Sequence, residues 1–308
     1  MAAPYVLTDD LPLVFAKLTG DSEEAKRAVR QSSQMIRTSL QKIFPVVETI
    51  PADKISRFLN DRVAGSDLPA ISLTGLITGD GKRIAAVEAS RTVSLEPVEG
   101  IYFKFRDSGI LPRLPGLPDV KEQFRRAVEF VADSKKPRVN IVDDVVFSGG
   151  TILNCANQLA ARGIEVDTVI ANVAINGSVA ALGQRGIKMD ADYYYDAVID
   201  EVCMRDFIVG APGGGRNLLL GNGQYVSVPY LYPYGNVGQW ASIGRESAAG
   251  FSKDCLEASL NIWAALAPDM KFSDLSKPVF KSSPDERIVD SIERMLERKE
   301  YDRFANTL

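Results

Sequence analysis

Two adjacent carboxylates, Asp143 and Asp144, follow the run Val139-Asn140-Ile141-Val142 and lead through Val145-Val146-Phe147 into the small-residue turn Ser148-Gly149-Gly150-Thr151. A near-continuous β-branched run is what a strand buried on both faces of a parallel sheet requires. In open α/β sheets, ligands are met just beyond the carboxyl ends of such strands. The turn opens into a stretch of helical spacing, Ile152 to Arg162. Its backbone N–H groups therefore stand unobstructed at a helix N-terminus, at the positive end of the dipole, where a phosphate is favoured. Two acids beside a phosphate cradle would repel it. They are better used accepting hydrogen bonds from vicinal hydroxyls of a sugar that carries the phosphate, with a divalent cation offsetting the charge. These residue types in this order point to a sugar phosphate. The plain alternative is a strand end whose Asp residues cap a turn.

The string from Val139 to Thr151 resembles the signature of type I phosphoribosyltransferases, which bind 5-phosphoribosyl-1-pyrophosphate (PRPP) and displace its pyrophosphate with a nitrogen nucleophile. The resemblance implies that Asp143 and Asp144 hold the ribose hydroxyls and that Val145, Val146, Phe147, Ser148, Gly149, Gly150 and Thr151 bind PRPP, the last five at its 5-phosphate. Two further strings fall in the family's order. Glu88-Ala89-Ser90-Arg91-Thr92 is similar to the pyrophosphate loop of adenine phosphoribosyltransferases, although Thr92-Val93 replaces the glycines that follow the arginine there. It implies Ala89 and Ser90 on PRPP and Arg91 on the leaving group. Phe103 to Pro112, with its Arg106, Gly109, Leu111 and Pro112, is similar to a string of the adenine and xanthine enzymes.

The implied chemistry is substitution at the anomeric carbon. Magnesium bound with PRPP, Arg91 and Arg106 would stabilise departing pyrophosphate, and Asp143 or Asp144 would lie under the developing cation. Phe147 stands where 6-oxopurine enzymes carry an aspartate, which disfavours hypoxanthine and guanine as acceptor. Asp119 and Glu122 match no glutamate of the adenine enzymes. The segment Arg205 to Arg216 is loosely similar to a Gly/Pro-rich string of the uracil enzymes and implies Asp206 and Phe207, with Phe147, as acceptor-binding residues. Its glycine run can equally be a plain loop before a hairpin.

Composition limits the alternatives. The 308 residues are 45% hydrophobic and 25% charged with net charge −4, enough to bury one large core or two smaller ones. The acidic balance offers no footprint for nucleic acid. With neither a basic leader nor a long apolar run, the expectation is a cytoplasmic protein without membrane attachment. The chain has no histidine, which removes His-based triads, His-ligated zinc and imidazole acid–base chemistry. It also weighs against PRPP synthetase, which uses histidines near its ATP site. Cys155, Cys203 and Cys255 are widely spaced and read as packing residues, with no thiolate metal site. No resident metal site is expected.

The elements that must position the site read as follows. Asp21 and Glu24 are spaced as a capping box for a helix of about 20 residues ending before Pro45. Ala70 to Leu76 reads as a strand, Thr78-Gly79-Asp80-Gly81 as a hairpin turn, and Ile84 to Val87 as the returning strand. Pro112, Pro115 and Pro118 mark an irregular loop suited to a mobile cover. Lys121 to Val131 is helical by spacing. Ile152 to Arg162 is a crossover helix with Gly163 as its C-cap, Val166 to Ala174 the next strand of a right-handed βαβ unit, and Tyr193 to Ile199 a further strand. Leu218 to Val228 is a hairpin about Asn222-Gly223. Tyr225, Tyr230, Tyr232, Tyr234 and Trp240 read mainly as core or dimer contact. Ala258 to Leu266 is a helix, and a last one is expected to start at Ser283 with Pro284 at N1.

The expected fold is therefore α/β, a type I phosphoribosyltransferase-like parallel sheet with flanking helices, additional N- and C-terminal helices and a small hood. The expected division is 1–64, 65–210 and 211–308. The expected activity is transfer of the phosphoribosyl group of PRPP to a small heterocyclic acceptor by a homodimer. A PRPP sensor of the same fold and a hydrolase splitting PRPP or a nucleotide are the competing readings.

Overall fold

The computed structural model describes residues 2–77, 84–98, 102–134 and 136–303. Its strands, in chain order, are β1 (Tyr5–Asp9), β2 (Val47–Pro51), β3 (Ala70–Ser72), β4 (Ile84–Ala86), β5 (Ala89–Val98), β6 (Tyr102–Pro112), β7 (Arg138–Val146), β8 (Glu165–Ile175), β9 (Lys188–Tyr195), β10 (Asp200–Cys203), β11 (Arg216–Leu219) and β12 (Tyr225–Val228). Among the described residues they form three sheets, ordered β10-β1-β2, β12-β11-β5-β6 and β4-β3-β7-β8-β9.

The chain divides into two compact units that interleave in sequence. The first is 1–50, 90–116 and 199–308, and the second is 51–89 and 117–198. This differs from the consecutive division at 64 and 210, and strand pairing is the reason. β1 pairs with β10, and β5 pairs with β11, so segments far apart in sequence complete the first unit's sheets.

The second unit is an α/β domain. All neighbours in its five-stranded sheet run parallel. β7 earns its central place by sequence: Val139 to Val142 is buried on both faces. One face carries Ile71, Ile141, Val169 and Ala171 against Phe124 and Val128 of the helix Val120–Asp133, and against Ile152, Cys155 and Leu159 of the helix Gly150–Ala160. The helix Ala52–Ala64 packs on β8 and buries Ile55, Leu59 and Val63. Asp119 caps the helix Val120–Asp133 by accepting the Glu122 N–H at 2.8 Å.

Ranked by appearance in the chain, the strands of this sheet lie in the order 2-1-3-4-5. That order reverses between β3 and β7, and such a reversal opens a crevice at the carboxyl ends of the two strands flanking it. β3 and β4 are parallel, with Ala70 opposite Ile84. The expected hairpin between them is thus corrected, since a tight turn would leave the strands antiparallel. The turn residues Thr78 to Gly81 lie outside the described residues.

The first unit buries Tyr5, Phe15, Phe207, Tyr234, Phe251 and Trp263 completely. Its helices Glu23–Gln41 and Arg245–Leu266 pack against each other. Ser22 rather than Asp21 caps the former, accepting the Ala25 N–H at 3.2 Å. The hairpin β11–β12 forms as expected, with Gly223 in the left-handed region at φ 81°. The last helix begins at Ile288, not at Ser283. Ahead of it, Pro284 and Glu286 give their carbonyls to the N–H groups of Ser273 and Phe272, so that backbone is committed to a neighbouring segment. No helix among the described residues is long and apolar enough to cross a membrane.

Candidate functional site

The crevice between β3 and β7 holds the acidic pair. Ser72 pairs with Val142, so Asp143 and Asp144 extend just past the end of β3. Successive side chains of a strand point to opposite faces, and the two carboxylates accordingly flank β7. Asp144 faces the exit of β3, where its Oδ2 accepts the Thr74 hydroxyl at 3.4 Å. Asp143 stands beside Cys155 of the helix Gly150–Ala160. The Cys155 thiol is pushed up to about 11, first by burial and then by the charge of Asp143, and stays protonated at neutral pH.

The backbone of the strand holds one oxygen of each acid. Asp143 Oδ1 accepts the Asp144 N–H, and Asp144 Oδ1 accepts the Val145 N–H, both at 3.0 Å. These bonds fix the carboxylate planes against the strand, and both acids are half-buried. Acceptor oxygens held this way at a strand end suit vicinal hydroxyls.

The turn after β7 makes the second half of the site. Gly149 is the N-cap of the helix Gly150–Ala160 in the left-handed conformation, φ 74° and ψ −1°, with no side-chain cap. The first intrahelical bond is Leu153 N–H to Gly149 O at 2.9 Å. The N–H groups of Gly150, Thr151 and Ile152 precede that bond and point out of the helix. Only a long contact, 3.4 Å from Gly150 N to Ser148 Oγ, touches them from within the turn. Ser148, Gly150 and Thr151 are exposed, while Phe147 is half-buried at the side. From beneath, Ser178 Oγ donates to Val146 O at 3.0 Å and steadies the strand end.

The fit for magnesium follows from this donor set. No cluster of three or more acidic or cysteine side chains that could hold a metal occurs among the described residues. One or two carboxylates beside a phosphate cradle match an ion that keeps most of its ligands from the substrate and water.

The exit of β3 is a feature that sequence reasoning passed over. Ser72 Oγ donates to Thr74 O at 2.8 Å, and the Leu76 N–H reaches Thr74 Oγ1 at 3.3 Å. This compact turn lines the crevice opposite Asp144. The signal was present in Thr74-Gly75, which follows an apolar strand as Ser148-Gly149 does. Asn172 was also missed. It is buried in β8, and its side-chain oxygen has no partner. Asp143 pairs with Ala171, which puts Asn172 in line with Asp144 on the same sheet face.

The remaining predicted residues fall elsewhere. Ala89, Ser90 and Arg91 were expected in a loop with free backbone donors, but they open β5, which has β11 on one side and β6 on the other. Thr92 and Val93 stand where the family has glycines, and they suit a strand. Arg106 lies in β6, exposed, 3.9 Å from Glu96. Phe207 is wholly buried, edge-on to Phe251 at 4.9 Å, so its ring serves the core and is closed to an acceptor. Asp206 accepts the Gly215 N–H at 2.8 Å, and loss of water pushes its carboxyl above the ordinary range. Arg91, Arg106, Asp206 and Phe207 belong to the first unit, the acidic pair and its turn to the second.

No family model matches the chain, and no curated protein matches it. Among solved structures, an orotate phosphoribosyltransferase from Aeropyrum pernix is similar at 17% identity and a TM-score of 0.23, with 46% of this chain and 68% of that chain covered.

Proposed function

We propose that this protein is a phosphoribosyltransferase that passes the 5-phosphoribosyl group of PRPP to a nitrogen of a small heterocyclic acceptor and releases pyrophosphate. What carries the reading is the coincidence, at the reversal of strand order, of an acidic pair with a left-handed glycine that leaves a helix N-terminus open. The 5-phosphate would sit on the N–H groups of Gly150, Thr151 and Ile152 with the Ser148 and Thr151 hydroxyls at its edge. The ribose hydroxyls would meet Asp143 and Asp144. The leaving group would then lie toward Thr74-Gly75 at the exit of β3, where backbone and hydroxyl donors are available.

As positive charge builds at the anomeric carbon, a carboxylate held below the ring stabilises it without moving. Magnesium bound with PRPP would supply neutralisation of the phosphate charge. The buried, protonated Cys155 thiol takes no part as a nucleophile. Cytoplasmic location and a homodimer complete the proposal.

Calorimetric titration of magnesium–PRPP into the wild-type protein, followed by pyrophosphate release across a panel of heterocyclic acceptors, tests it. Binding with acceptor-dependent pyrophosphate release is the expected result. Binding without release for any acceptor points to a PRPP sensor, and release of ribose 5-phosphate without acceptor points to a hydrolase.

A further inference from the structure

A second concentration of charge lies in the first unit. Arg216, the opening residue of β11, is half-buried with its guanidinium 5.4 Å from the Tyr230 ring centroid and 5.0 Å from that of Trp240. Its Nε and Nη2 both donate to the Tyr230 hydroxyl, at 3.3 and 3.1 Å. Two rings and two hydrogen bonds fix the plane of the fork, which is what bidentate recognition of an oxyanion needs. The Tyr230 oxygen accepts both bonds and keeps its own proton to donate.

β5 runs parallel to β11 with Asn217 opposite Thr92. One step earlier, Arg216 and Arg91 therefore stand side by side on the same sheet face. Like charges placed abreast oppose strand pairing. Among the described residues neither guanidinium has a carboxylate within 4.0 Å. The surroundings add more positive charge than negative. Arg113 and Arg216 both act on Asp206, while Lys277 is buried, bonded to the Asn217 side-chain oxygen, and also feels Arg113. Asp200, tied to the Ser242 hydroxyl at 2.8 Å, feels Arg91 and Arg216. With Arg205, which acts on Asp206 ahead of Arg113 and Arg216 and pairs with Asp10 at 3.1 Å, five cationic side chains stand among the carboxylates of Asp206, Asp200 and Asp10.

We infer that the amino-terminal end of the β5–β11 pair is a binding site for a small polyanion bearing phosphate or carboxylate groups, gripped by Arg91 and the stacked Arg216, with the Tyr230 hydroxyl as a third donor. It is built wholly from residues of the first unit and does not rest on the PRPP reading.

Trp240, though buried, has the Arg216 guanidinium over its ring, so its fluorescence reports occupancy, whereas the protein's other indole, Trp263, donates to Val209 O at 2.7 Å. The test titrates the full chain with inorganic pyrophosphate and, separately, with tricarballylate. Saturable quenching by either probe is expected, with pyrophosphate preference assigning phosphate and the reverse assigning carboxylate. Arg91→Gln, at an exposed position, and Arg216→Lys, which keeps the charge without the fork, should each weaken it by about ten-fold or more. Asp143→Asn/Asp144→Asn should leave it unchanged. No saturable signal up to about 10 mM, a range covering all but negligible affinity, overturns the site, as does full retention in Arg91→Gln. Loss in the Asp143/Asp144 double variant would place the anion in the second unit and overturn it as well.

Discussion

Two glycine-rich turns, Ser148 to Thr151 and Gly213 to Gly215, look alike in sequence and are opposites in structure. At the first, a Cβ on Gly150 would meet only Ser148 Oγ at 3.5 Å, and Ser148, Gly150 and Thr151 are open to solvent. Glycine there clears space above N–H groups that meet nothing from within the turn but the long contact of Gly150 with Ser148 Oγ. At the second, a Cβ on Gly215 would come 2.5 Å from Ser227 Oγ and 2.8 Å from Val228 O, and one on Gly214 would strike the Arg205 carbonyl. Here glycine lets one backbone pass close to another, and the Gly215 N–H is already given to Asp206. The same residue type marks a place kept empty in one unit and a place already full in the other.

Substitution separates the two most sharply at Gly215, which also needs φ 72°. Gly215→Ala should cost the first unit about 3–4 kcal/mol through strain and overpacking, read as an earlier urea midpoint by tryptophan fluorescence, since both tryptophans lie in that unit. A midpoint within error of wild type would break the contrast. In the open turn the expected loss is of ligand. Asp143→Asn/Asp144→Asn should fold normally and lose magnesium–PRPP binding by about a hundred-fold or more, given the worth of hydrogen bonds to charged acceptors.

The closed corner also has its own pH signature. Asp10 is fully buried, accepts the Arg205 N–H at 3.0 Å and pairs with its guanidinium at 3.1 Å, yet burial outweighs the pair and raises its carboxyl from 3.8 to about 6. A carboxyl whose folded pKa is raised contributes stability below its unfolded pKa and loses it as pH climbs through the folded value. The first unit should therefore lose about 1–3 kcal/mol between pH 4 and 6, and Asp10→Asn should flatten that slope in fluorescence-monitored urea melts at several pH values. The smallest effect is at Gly150, whose φ any residue can adopt. Gly150→Ala should raise stability by about 0.5–1 kcal/mol while weakening PRPP binding several-fold, because a methyl group would stand where a phosphate approaches. Stabilisation with unchanged binding would move the phosphate off this turn.

The second unit was legible where its residues obey one rule at a time. The run ending at Val142 could only be a buried strand, and the spacing from Ile152 to Leu159 could only be its crossover helix. What sequence could not give was which strands meet. β5 reads as the exit of a core strand, but its alternation of Thr92, Val93, Ser94 and Leu95 is satisfied by β11, more than a hundred residues away in sequence. The helix Arg245–Leu266 was half missed for a different reason. Part of its buried face is built from Ser252 and Ser259, whose hydroxyls accept the N–H groups of Tyr232 and Val209, so no apolar stripe announces it. Asn172 and Thr74 stayed invisible because a polar residue in or just after a strand becomes informative only once the register shows what it faces.

The interleaved path of the chain has a consequence for synthesis. On the ribosome the second unit is complete once residue 198 has emerged, and its parallel sheet can close then. β1 finds its neighbour β2 by Pro51, but its other partner β10 starts only at Asp200, and β5, beside β6, lacks β11 until Arg216 is made. The sheets of the first unit therefore stay incomplete after all five strands of the second unit's sheet have been made.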